Sequence, residues 1–408
     1  MRKLTVKNFS VIKEAELEFG KITVLIGPQS SGKSLLCKLA YFLSKEVLEI
    51  AVGRVLNEFD FPTFEEDVVK RFREWFPLSG WGQQDWSISY TSNHFEVFVS
   101  GHIDRPENPL EFRLAFGDVF RREYIKQLGN ARPWAKGIIE SAFRKLMGRA
   151  FWDNATYIPS ERSYFVDAQK GYRLLANQSD PIGNRFAEFY PSSLGPDIPK
   201  KQLRAHLDGE LVRGGDSWLF LFSDGRLLPL NFLSTGSKEL LPLLCALEMY
   251  SYHRLEIVNS DEFNLPTEDL ARFDEFFVEE PEAHIFPKKQ YEIVQYFAEF
   301  ANAIDIGSAL TITTHSPYIL TAFNTLIYAG QLANQKPELK REIADLVSER
   351  YWIEDGSFRA YRIQDGMLKS ILSESGLVDG EYLDGVSDKI EHEFDSLLRL
   401  EYEHTEAS

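Results

Sequence analysis

The chain has 408 residues, enough for two or three domains of ordinary size or for one elaborated domain. Apolar residues make up 44% of it, which supports a sizeable core, and the formal net charge is −17, from 45 basic and 62 acidic residues. This acidic balance argues against a protein coated in nucleic acid, although it is compatible with a local basic groove.

Cysteine content and hydropathy indicate the cellular compartment in which the protein is expected. Cys37 and Cys245 are the only cysteines, and both fall in apolar helical patterns, which indicates buried thiols in a reducing compartment. The chain opens without the charged-then-apolar pattern of a secretory leader. Residues 240–250, among the longest apolar stretches, are far too few to span a membrane. We therefore expect a soluble, cytoplasmic protein.

The first 43 residues combine two alternating strands with a glycine-bearing loop. Residues 4–9 and 15–19 alternate in polarity, which predicts a half-buried hairpin. Residues 22–26 form an apolar, β-branched run, and apolar residues recur at helical spacing over residues 35–43. Between the run and the helix lies a segment that fits G-x-x-x-x-G-K-[ST], made of Gly27, Pro28, Gln29, Ser30, Ser31, Gly32, Lys33 and Ser34.

This strand–loop–helix arrangement, the P-loop, aims backbone N–H groups and a helix dipole at phosphates. Lys33 is predicted to reach the β- and γ-phosphates, and the Ser34 hydroxyl to ligate Mg²⁺. Leu35, the first apolar residue after the loop, is included with residues 27–34 in the predicted ATP contact. The sequence therefore predicts a protein that binds a nucleoside triphosphate.

The next hundred residues read as an insertion. The first helix is predicted to continue to about residue 56, a second covers residues 65–76, and residues 87–90 and 95–100 form a hairpin. Residues 118–149, helical in composition, carry eight basic and three acidic side chains, a net charge of +5. Two interpretations stay open: a solvated helical face, or a contact surface for nucleic acid or an acidic partner.

Residues 154–159 predict a core strand that ends at Pro159. The charged loop that follows, residues 160–163, is either ordinary surface or faces the nucleotide. Residues 167–215 are rich in Gly, Pro, Asn and Asp and predict loops with short elements, and residues 218–222 and 226–230 predict another hairpin.

Three later stretches of sequence indicate which reaction the predicted nucleotide site performs. The first, Ser234-Thr235-Gly236-Ser237, opens a helical run and could present a hydroxyl and amide groups to an anion, or simply cap the helix. The second is an apolar strand that ends in Glu279 and Glu280. We predict that Glu279 supports the metal shell and that Glu280 polarises the attacking water. The third is a β-branched strand that ends at His315, which we predict contacts the γ-phosphate at the carboxyl edge of the sheet.

In this order the motifs resemble the ATP-binding-cassette ATPases, in the branch that contains SMC proteins, RecF and the overcoming-lysogenisation-defect ATPases. Residues 277–287 (FVEEPEAHIFP) and 313–317 (TTHSP) are especially similar to the last group. The resemblance covers about residues 1–45, 154–165 and 228–330. It implies a head dimer with two ATPs at the interface, in which a signature segment of one subunit, Ser234, Thr235, Gly236 and Ser237, caps the γ-phosphate held by Lys33 of the other. The glutamine of the family's Q-loop has no clear match; Gln169 and residues 158–162 are the candidates.

We predict an α/β fold, a P-loop NTPase of ABC-ATPase type with a mixed sheet, an antiparallel β layer and an inserted helical lid. Residues 1–60 and 154–330 would form the ATPase head, including the loop-rich segment 167–215, and residues 61–153 the inserted β-hairpin and lid. Residues 331–408 would add a hairpin around residues 354–356 and terminal helices through Ile390, Phe394 and Leu398. The sequence shows no sustained heptads for a long coiled coil and no convincing nuclease carboxylates after His315.

The leading hypothesis is a dimeric or higher homo-oligomeric ATPase switch with ATP and Mg²⁺ as cofactors. Its nucleotide state would control a separate effector, a nuclease or toxin, since free-standing ATPases that this chain resembles belong to bacterial anti-phage defence systems. The alternative is a RecF- or SMC-like ATPase of DNA repair or DNA ends that binds nucleic acid through residues 118–149. No membrane partner is expected.

Overall fold

A mixed sheet of 11 strands organises the computed structural model, which describes residues 2–82, 84–102, 111–132, 134–148, 155–167, 181–195, 201–215, 217–259, 274–302 and 308–379. The strands are β1 (Arg2–Phe9), β2 (Ile12–Phe19), β3 (Ile22–Ile26), β4 (Trp86–Ser92), β5 (Phe95–His102), β6 (Glu111–Phe116), β7 (Ala155–Ile158), β8 (Gly209–Gly214), β9 (Ser217–Phe222), β10 (Leu227–Pro229), β11 (Asp274–Glu279), β12 (Ser308–Thr314), β13 (Phe358–Gln364) and β14 (Met367–Ser370).

The helices pack on both faces of this sheet and at its ends. They are α1 (Lys33–Tyr41), α2 (Val47–Leu56), α3 (Phe61–Trp75), α4 (Asp118–Gly129), α5 (Lys136–Leu146), α6 (Ser163–Asp167), α7 (Pro181–Ser193), α8 (Lys201–Leu207), α9 (Thr235–Asn259), α10 (Pro287–Asn302), α11 (Pro317–Gln335) and α12 (Lys340–Leu346). Among the described residues, no helix is long and apolar enough to cross a bilayer.

The order of the large sheet is β6-β5-β4-β1-β2-β14-β13-β3-β12-β11-β7. Strands β13, β3, β12, β11 and β7 run parallel, whereas β6, β5, β4, β1 and β2 are antiparallel neighbours. Strands β3 and β7 are buried along nearly their whole length, as expected for parallel strands that are covered on both faces. Strands β8, β9 and β10 form a separate antiparallel sheet. The predicted mixed α/β fold is confirmed.

The helix after β3 continues to Leu56 as predicted, but α1 and α2 are joined by a π-helical turn over Phe42–Glu46. The insertion adds β4, β5 and β6 to the free edge of β1, so its strands extend the large sheet. Its helices α3, α4 and α5 share an aromatic core with rings of Phe64, Phe120 and Phe143. Cys37 and Cys245 are buried free thiols, as expected.

The C-terminal hairpin lies elsewhere than predicted. Strands β13 and β14 are joined at Asp365 and Gly366, which both have positive φ, 54° and 81°. Asp-Gly at the centre of a tight hairpin turn supplies those backbone conformations at low cost. Residues 354–356, which also contain Asp-Gly, form a turn that leads into β13. This turn is not part of a hairpin, because the residues before it form a 3₁₀ turn, Glu349–Tyr351, in place of a strand. The predicted terminal helices through Ile390, Phe394 and Leu398 lie outside the described residues.

Gly27, directly after β3, lies where the backbone of the P-loop closely approaches the neighbouring strand β13. A Cβ at this position would meet the backbone carbonyl of Ile363 in β13. Gly53 in α2 has no atom within 4 Å of the corresponding position.

We therefore expect Gly27→Ala to destabilise the protein by about 1–3 kcal/mol, since a backbone carbonyl cannot move aside as a flexible side chain can. The matched variant Gly53→Ala should stabilise it by about 0.5–1 kcal/mol, because alanine is the better residue inside a helix. Urea denaturation of both variants measures the difference. Equal stabilities would contradict the close approach of β13 to Gly27.

Candidate functional site

Three neighbouring parallel strands end at one edge of the sheet, and each delivers a predicted site residue there. Ile26 of β3 pairs with Thr314 of β12, and Thr313 pairs with Glu279 of β11. The residues that follow these positions are Gly27, His315 and Glu280. Ligands bind at the carboxyl ends of strands in open α/β sheets. The register therefore brings the P-loop, the histidine and the acidic pair to a common edge.

Lys33 lies at the centre of this edge. Its Nζ donates hydrogen bonds to the carbonyls of Gly27 (2.8 Å) and Pro28 (2.9 Å), and it lies 3.1 Å from Nε2 of His315. Burial lowers the pKa of Lys33, while the carboxylates of Glu280 and Glu282 act in the opposite direction. The ammonium group is thus held against its own loop at the N-terminus of α1.

His315 connects Lys33 to the acidic pair. Its Nε2 is also 3.2 Å from Oε1 of Glu280. A single ring nitrogen either accepts a hydrogen bond from Lys33 or donates one to Glu280. The tautomer of the imidazole therefore decides whether its Nε2 bonds to Lys33 or to Glu280.

Glu280 has an unusual backbone, with a φ of 41°. Its N–H donates to the carbonyl of Thr313 at 2.9 Å, which holds the residue at the end of the β11–β12 pair. Left-handed φ is costly for a residue with a Cβ, and it persists where the surroundings enforce it. The strained backbone of Glu280 thus sets the direction of its own carboxylate, the group predicted to polarise water.

Glu279 is buried, and both of its carboxylate oxygens accept hydrogen bonds. The donors are the hydroxyl of Tyr157, at 2.7 Å, and the backbone N–H of Ser160, at 3.2 Å. The loop after β7 therefore reaches the acidic pair. Each oxygen retains a second lone pair, so the carboxylate can also accept a bond from a metal-bound water.

Two further side chains organise the same edge: Arg162, which the sequence analysis placed only within the candidate Q-loop segment 158–162, and Glu282, to which it assigned no role. Arg162 is fully buried and donates to the carbonyls of both Glu279 (2.7 Å) and Glu280 (3.1 Å). Glu282 accepts hydrogen bonds from the Thr314 hydroxyl (2.7 Å) and the His315 N–H (2.6 Å). Glu282 lies inside the segment 277–287 that carries the family resemblance, and Arg162 lies in the loop after β7; these positions were the available sequence signal.

The signature segment, residues 234–237, begins α9. The Ser234 hydroxyl accepts a hydrogen bond from the Ser237 N–H at 3.2 Å, which is the geometry of a helix cap. A Cβ on Gly236 would lie 2.7 Å from the carbonyl of His284, so the segment packs directly against the turn after Glu280. Ser234 and Thr235 are exposed. The cap and an intermolecular role are compatible.

An open cleft of about 730 Å³ adjoins the P-loop. Three turns surround it: residues 28–31, the β1–β2 turn and the β13–β14 turn. Its lining includes Ser10, Val11, Gln29, Ser30, Gln364 and Asp365. The cleft is continuous with the loop predicted to hold phosphates and can accept the remainder of a nucleotide.

The basic segment forms α4 and α5, remote in sequence from this edge. Several of its charges have internal partners: Lys126 pairs with Glu123, and Arg144 with Glu140. Trp134, between the helices, is 74% exposed. The segment therefore combines a solvated, partly neutralised face with an exposed aromatic ring, and both interpretations of it stay open. Gln169, a Q-loop candidate, lies outside the described residues.

A family model described as an AAA ATPase domain matches residues 166–320, a range that contains the signature segment, the acidic pair and His315. Among curated proteins, none matches the chain.

Solved structures similar to this chain include SMC heads and RecF. An SMC head bound to the C-winged helix domain of ScpA is 13% identical with a TM-score of 0.42, over 90% of this chain and 96% of that one. The SMC head domain from Thermotoga maritima is 14% identical with a TM-score of 0.34, over 91% and 98%. The recombination mediator RecF of the RecFOR pathway is 11% identical with a TM-score of 0.37, over 90% and 97%.

The Tyr157–Glu279 hydrogen bond gives a test of this geometry. Tyr157→Phe keeps the ring but removes the hydroxyl donor, and a buried acceptor that loses its partner costs about 1–3 kcal/mol. We expect that loss in urea denaturation at neutral pH. Tyr164→Phe, an exposed tyrosine on α6, is the matched control and should change stability by less than about 0.5 kcal/mol. Equal effects would show that Tyr157 does not support Glu279.

Proposed function

We propose that this chain is an ATP-hydrolysing, dimeric switch subunit that controls a separate effector protein. One observation carries the hydrolytic part: Lys33, His315 and Glu280 are joined by contacts of 3.1 and 3.2 Å at the carboxyl edge of the sheet and the N-terminus of α1. A cation that can bind phosphate, a carboxylate that can act as a base and an imidazole between them are groups that can serve phosphoryl transfer to water. The family model matched over residues 166–320 supports the same activity.

On ATP binding, the phosphates take the place of the loop carbonyls around Lys33. The β- and γ-phosphates attract its ammonium group away from Gly27 and Pro28, while the amides of the P-loop and the first turn of α1 donate to phosphate oxygens. Mg²⁺ suits this edge, because it binds proteins through one or two oxygen ligands and keeps several waters. Ser34 would ligate the ion, and Glu279 would accept from one of its waters. The ion neutralises phosphate charge.

Glu280 then faces the γ-phosphate as the base. When Lys33 turns to the phosphates, Nε2 of His315 is released from it and can contact a γ-phosphate oxygen or Glu280. The carboxylate of Glu280 orients a water for attack and accepts its proton. The strained backbone of Glu280 aims that carboxylate before substrate arrives, so little reorganisation is needed.

The proposed dimer would use the surface around the signature segment. Ser234 and Thr235 are exposed, and so are two phenylalanines on the segments that touch at Gly236: Phe232, 70% exposed, precedes the signature segment, and Phe286, 85% exposed, follows the turn against which Gly236 packs. Large exposed apolar side chains grouped on touching segments are typical of protein interfaces. A second copy of the chain would bury them and bring its ATP to the N-terminus of α9.

The effector and the role in anti-phage defence rest on sequence resemblance alone. A RecF- or SMC-like ATPase that acts on DNA is the second candidate, and the exposed Trp134 among basic side chains of α4 and α5 favours it, since aromatic rings and cations together bind nucleic acid. ATPase activity stimulated by DNA would support this second function. Co-purification with a neighbouring nuclease or toxin, without DNA stimulation, would support the switch.

The role of Glu280 is tested by Glu280→Gln, which preserves size but removes the base. We expect ATP to bind with unchanged affinity, hydrolysis to slow by about 100-fold or more, and the ATP-bound dimer to accumulate. Binding of a fluorescent ATP analogue, phosphate release and gel filtration measure the three effects. Lys33→Ala is the control that should abolish binding itself. Wild-type turnover in Glu280→Gln would move the base to another residue.

The composite site is tested best at Thr235. An acidic residue at the first position of α9 favours the helix dipole, so Thr235→Asp should fold normally, yet its charge would repel a partner's γ-phosphate. A Gly236 substitution would be a poorer probe because it collides with His284 of the same chain. We expect Thr235→Asp to bind ATP but to lose ATP-driven dimerisation and hydrolysis, whereas the neutral control Thr235→Asn retains both.

Mixing Thr235→Asp with Lys33→Ala sharpens this test. In a two-site dimer, a mixed pair has one composite site with both defects and one with neither. Activity that returns on mixing means that one intact site suffices, and a mixture without activity means that both sites must act together. Normal hydrolysis by Thr235→Asp alone would reduce residues 234–237 to an ordinary helix cap.

A further inference from the structure

Arg162 joins three segments that are distant in sequence. Its guanidinium is fully buried, with 0% exposure. One terminal nitrogen donates to the carbonyls of Pro159 (3.0 Å) and Glu279 (2.7 Å), and the other to that of Glu280 (3.1 Å). Its Nε donates to the carbonyl of Glu239, in the second turn of α9, at 2.8 Å. The side chain therefore links the β7 loop, the acidic pair and α9.

Burying Arg162 in this way contributes little net stability to the fold. A buried cation is costly unless it is fully paired, and apolar packing of similar volume often gives equal stability. Here the Glu239 carboxylate lies 3.5 Å from Nε, and the guanidinium is otherwise surrounded by backbone carbonyls. The planar fork of arginine fixes the direction as well as the length of each of these bonds. Arg162 is thus suited to set positions.

The position it sets is that of Glu280. The left-handed backbone of Glu280 is held from both sides: its N–H bonds to Thr313 of β12, and its carbonyl accepts from Arg162. Without the second bond, the neighbouring peptide is free to relax towards an unstrained conformation, which would turn the carboxylate away from His315.

The same turn is pressed against α9 at a second point. Gly236 lies so close to His284 that a Cβ would come within 2.7 Å of the His284 carbonyl. A shift of the N-terminal turn of α9 therefore reaches residues 279–284 by two routes, the Arg162 hydrogen bonds and this backbone contact. Packed contacts of this kind transmit small displacements because close-packed interiors do not absorb them.

We infer that Arg162 is a positioning residue that couples the signature segment to Glu280 of the same chain, so that engagement of residues 234–237 by a partner's nucleotide sets the hydrolytic geometry of the chain's own site. This inference rests on the proposed ATPase dimer and adds to it a route by which the two sites regulate each other. Because each chain contributes a signature segment to one site and a base to the other, ATP at one site promotes hydrolysis at the second.

The experiment compares wild type, Arg162→Lys and a matched control, Arg185→Lys. Arg185 pairs with Glu46, the last residue of the π-helical turn, and with Glu49 of α2, and neither is a predicted site residue. Lysine keeps the charge at position 162 but cannot reproduce the fork. We expect Arg162→Lys to bind the fluorescent ATP analogue with an unchanged Kd, to lose about tenfold or more in kcat with little change in KM, and to hydrolyse ATP with a Hill coefficient near 1. Wild type and Arg185→Lys should share a Hill coefficient above 1.

Amide hydrogen exchange on ATP binding separates coupling from general loosening. In wild type, peptides that cover residues 233–245 and 275–290 should both gain protection with ATP. In Arg162→Lys the first should still gain protection and the second should not, whereas a merely structural defect would lower protection in both before ATP is added.

An Arg162→Lys protein with wild-type kcat and Hill coefficient, or with both peptides still responding together, would overturn the inference. If this variant fails to fold, Glu239→Gln, which retains the backbone acceptor and removes only the carboxylate, carries the test. It should lower the Hill coefficient at unchanged ATP affinity, and an unchanged coefficient would overturn the inference. Absence of ATP hydrolysis in the wild-type protein would instead contradict the proposed function, and the exchange measurement would still report on the coupling.

Discussion

The hydrogen-bonded register of three parallel strands is the constraint on which the site depends. Ile26 pairs with Thr314, and Thr313 pairs with Glu279. The three strands therefore end at the same level of the sheet, which places the loop after β3, the histidine after β12 and the carboxylate after β11 side by side. A slip of one residue would reverse the side chains of a whole strand between the two faces of the sheet. The buried apolar side chains of β3, β11 and β12 prevent such a slip. The core of the sheet thus determines which polar groups meet at its edge.

Several charged side chains meet at this edge, and each has internal hydrogen bonds, although Oε2 of Glu282 is buried without a partner among the described residues. Lys33 is held by two carbonyls and His315, Glu279 by Tyr157 and Ser160, and Glu282 by Thr314 and His315. Hydrogen-bonded networks in low dielectric are rigid when satisfied and costly when broken. Lys33 is the member that can exchange its partners most readily, because phosphate oxygens offer a stronger electrostatic attraction than the loop carbonyls. In the proposed function, nucleotide binding therefore acts first on the Lys33–His315–Glu280 contact.

Two close backbone approaches connect this network to the rest of the molecule. Gly27 lies against β13, and Gly236 lies against the turn at His284. Through the first, the P-loop is tied to the C-terminal hairpin; through the second, the start of α9 is tied to the acidic pair. The strained residue, Glu280, stands where these ties and the strand register converge, which is where stored strain can be useful to a reaction.

The sequence by itself determined the features that depend on neighbours along the chain. The strand–loop–helix of the P-loop, the acidic pair after an apolar strand and the hairpins at β4–β5 and β9–β10 were predictable, because local composition and periodicity specify them. Local sequence also misplaced the C-terminal hairpin, because residues 354–356 and 365–366 both contain Asp-Gly. Only the pairing of β13 with β3 decides that the strand lies between these two turns, so that the hairpin turn is at residues 365–366.

Arg162 shows the opposite situation, a site residue whose contacts local sequence does not specify. Its partners Glu239, Glu279 and Glu280 stand 77, 117 and 118 residues away, and it binds mostly their carbonyls, which every residue type possesses. Resemblance made residues 158–162 a candidate segment, but no pattern of side chains specifies these contacts, so only the tertiary structure, by burying the guanidinium between the sheet edge and α9, decided what this arginine binds.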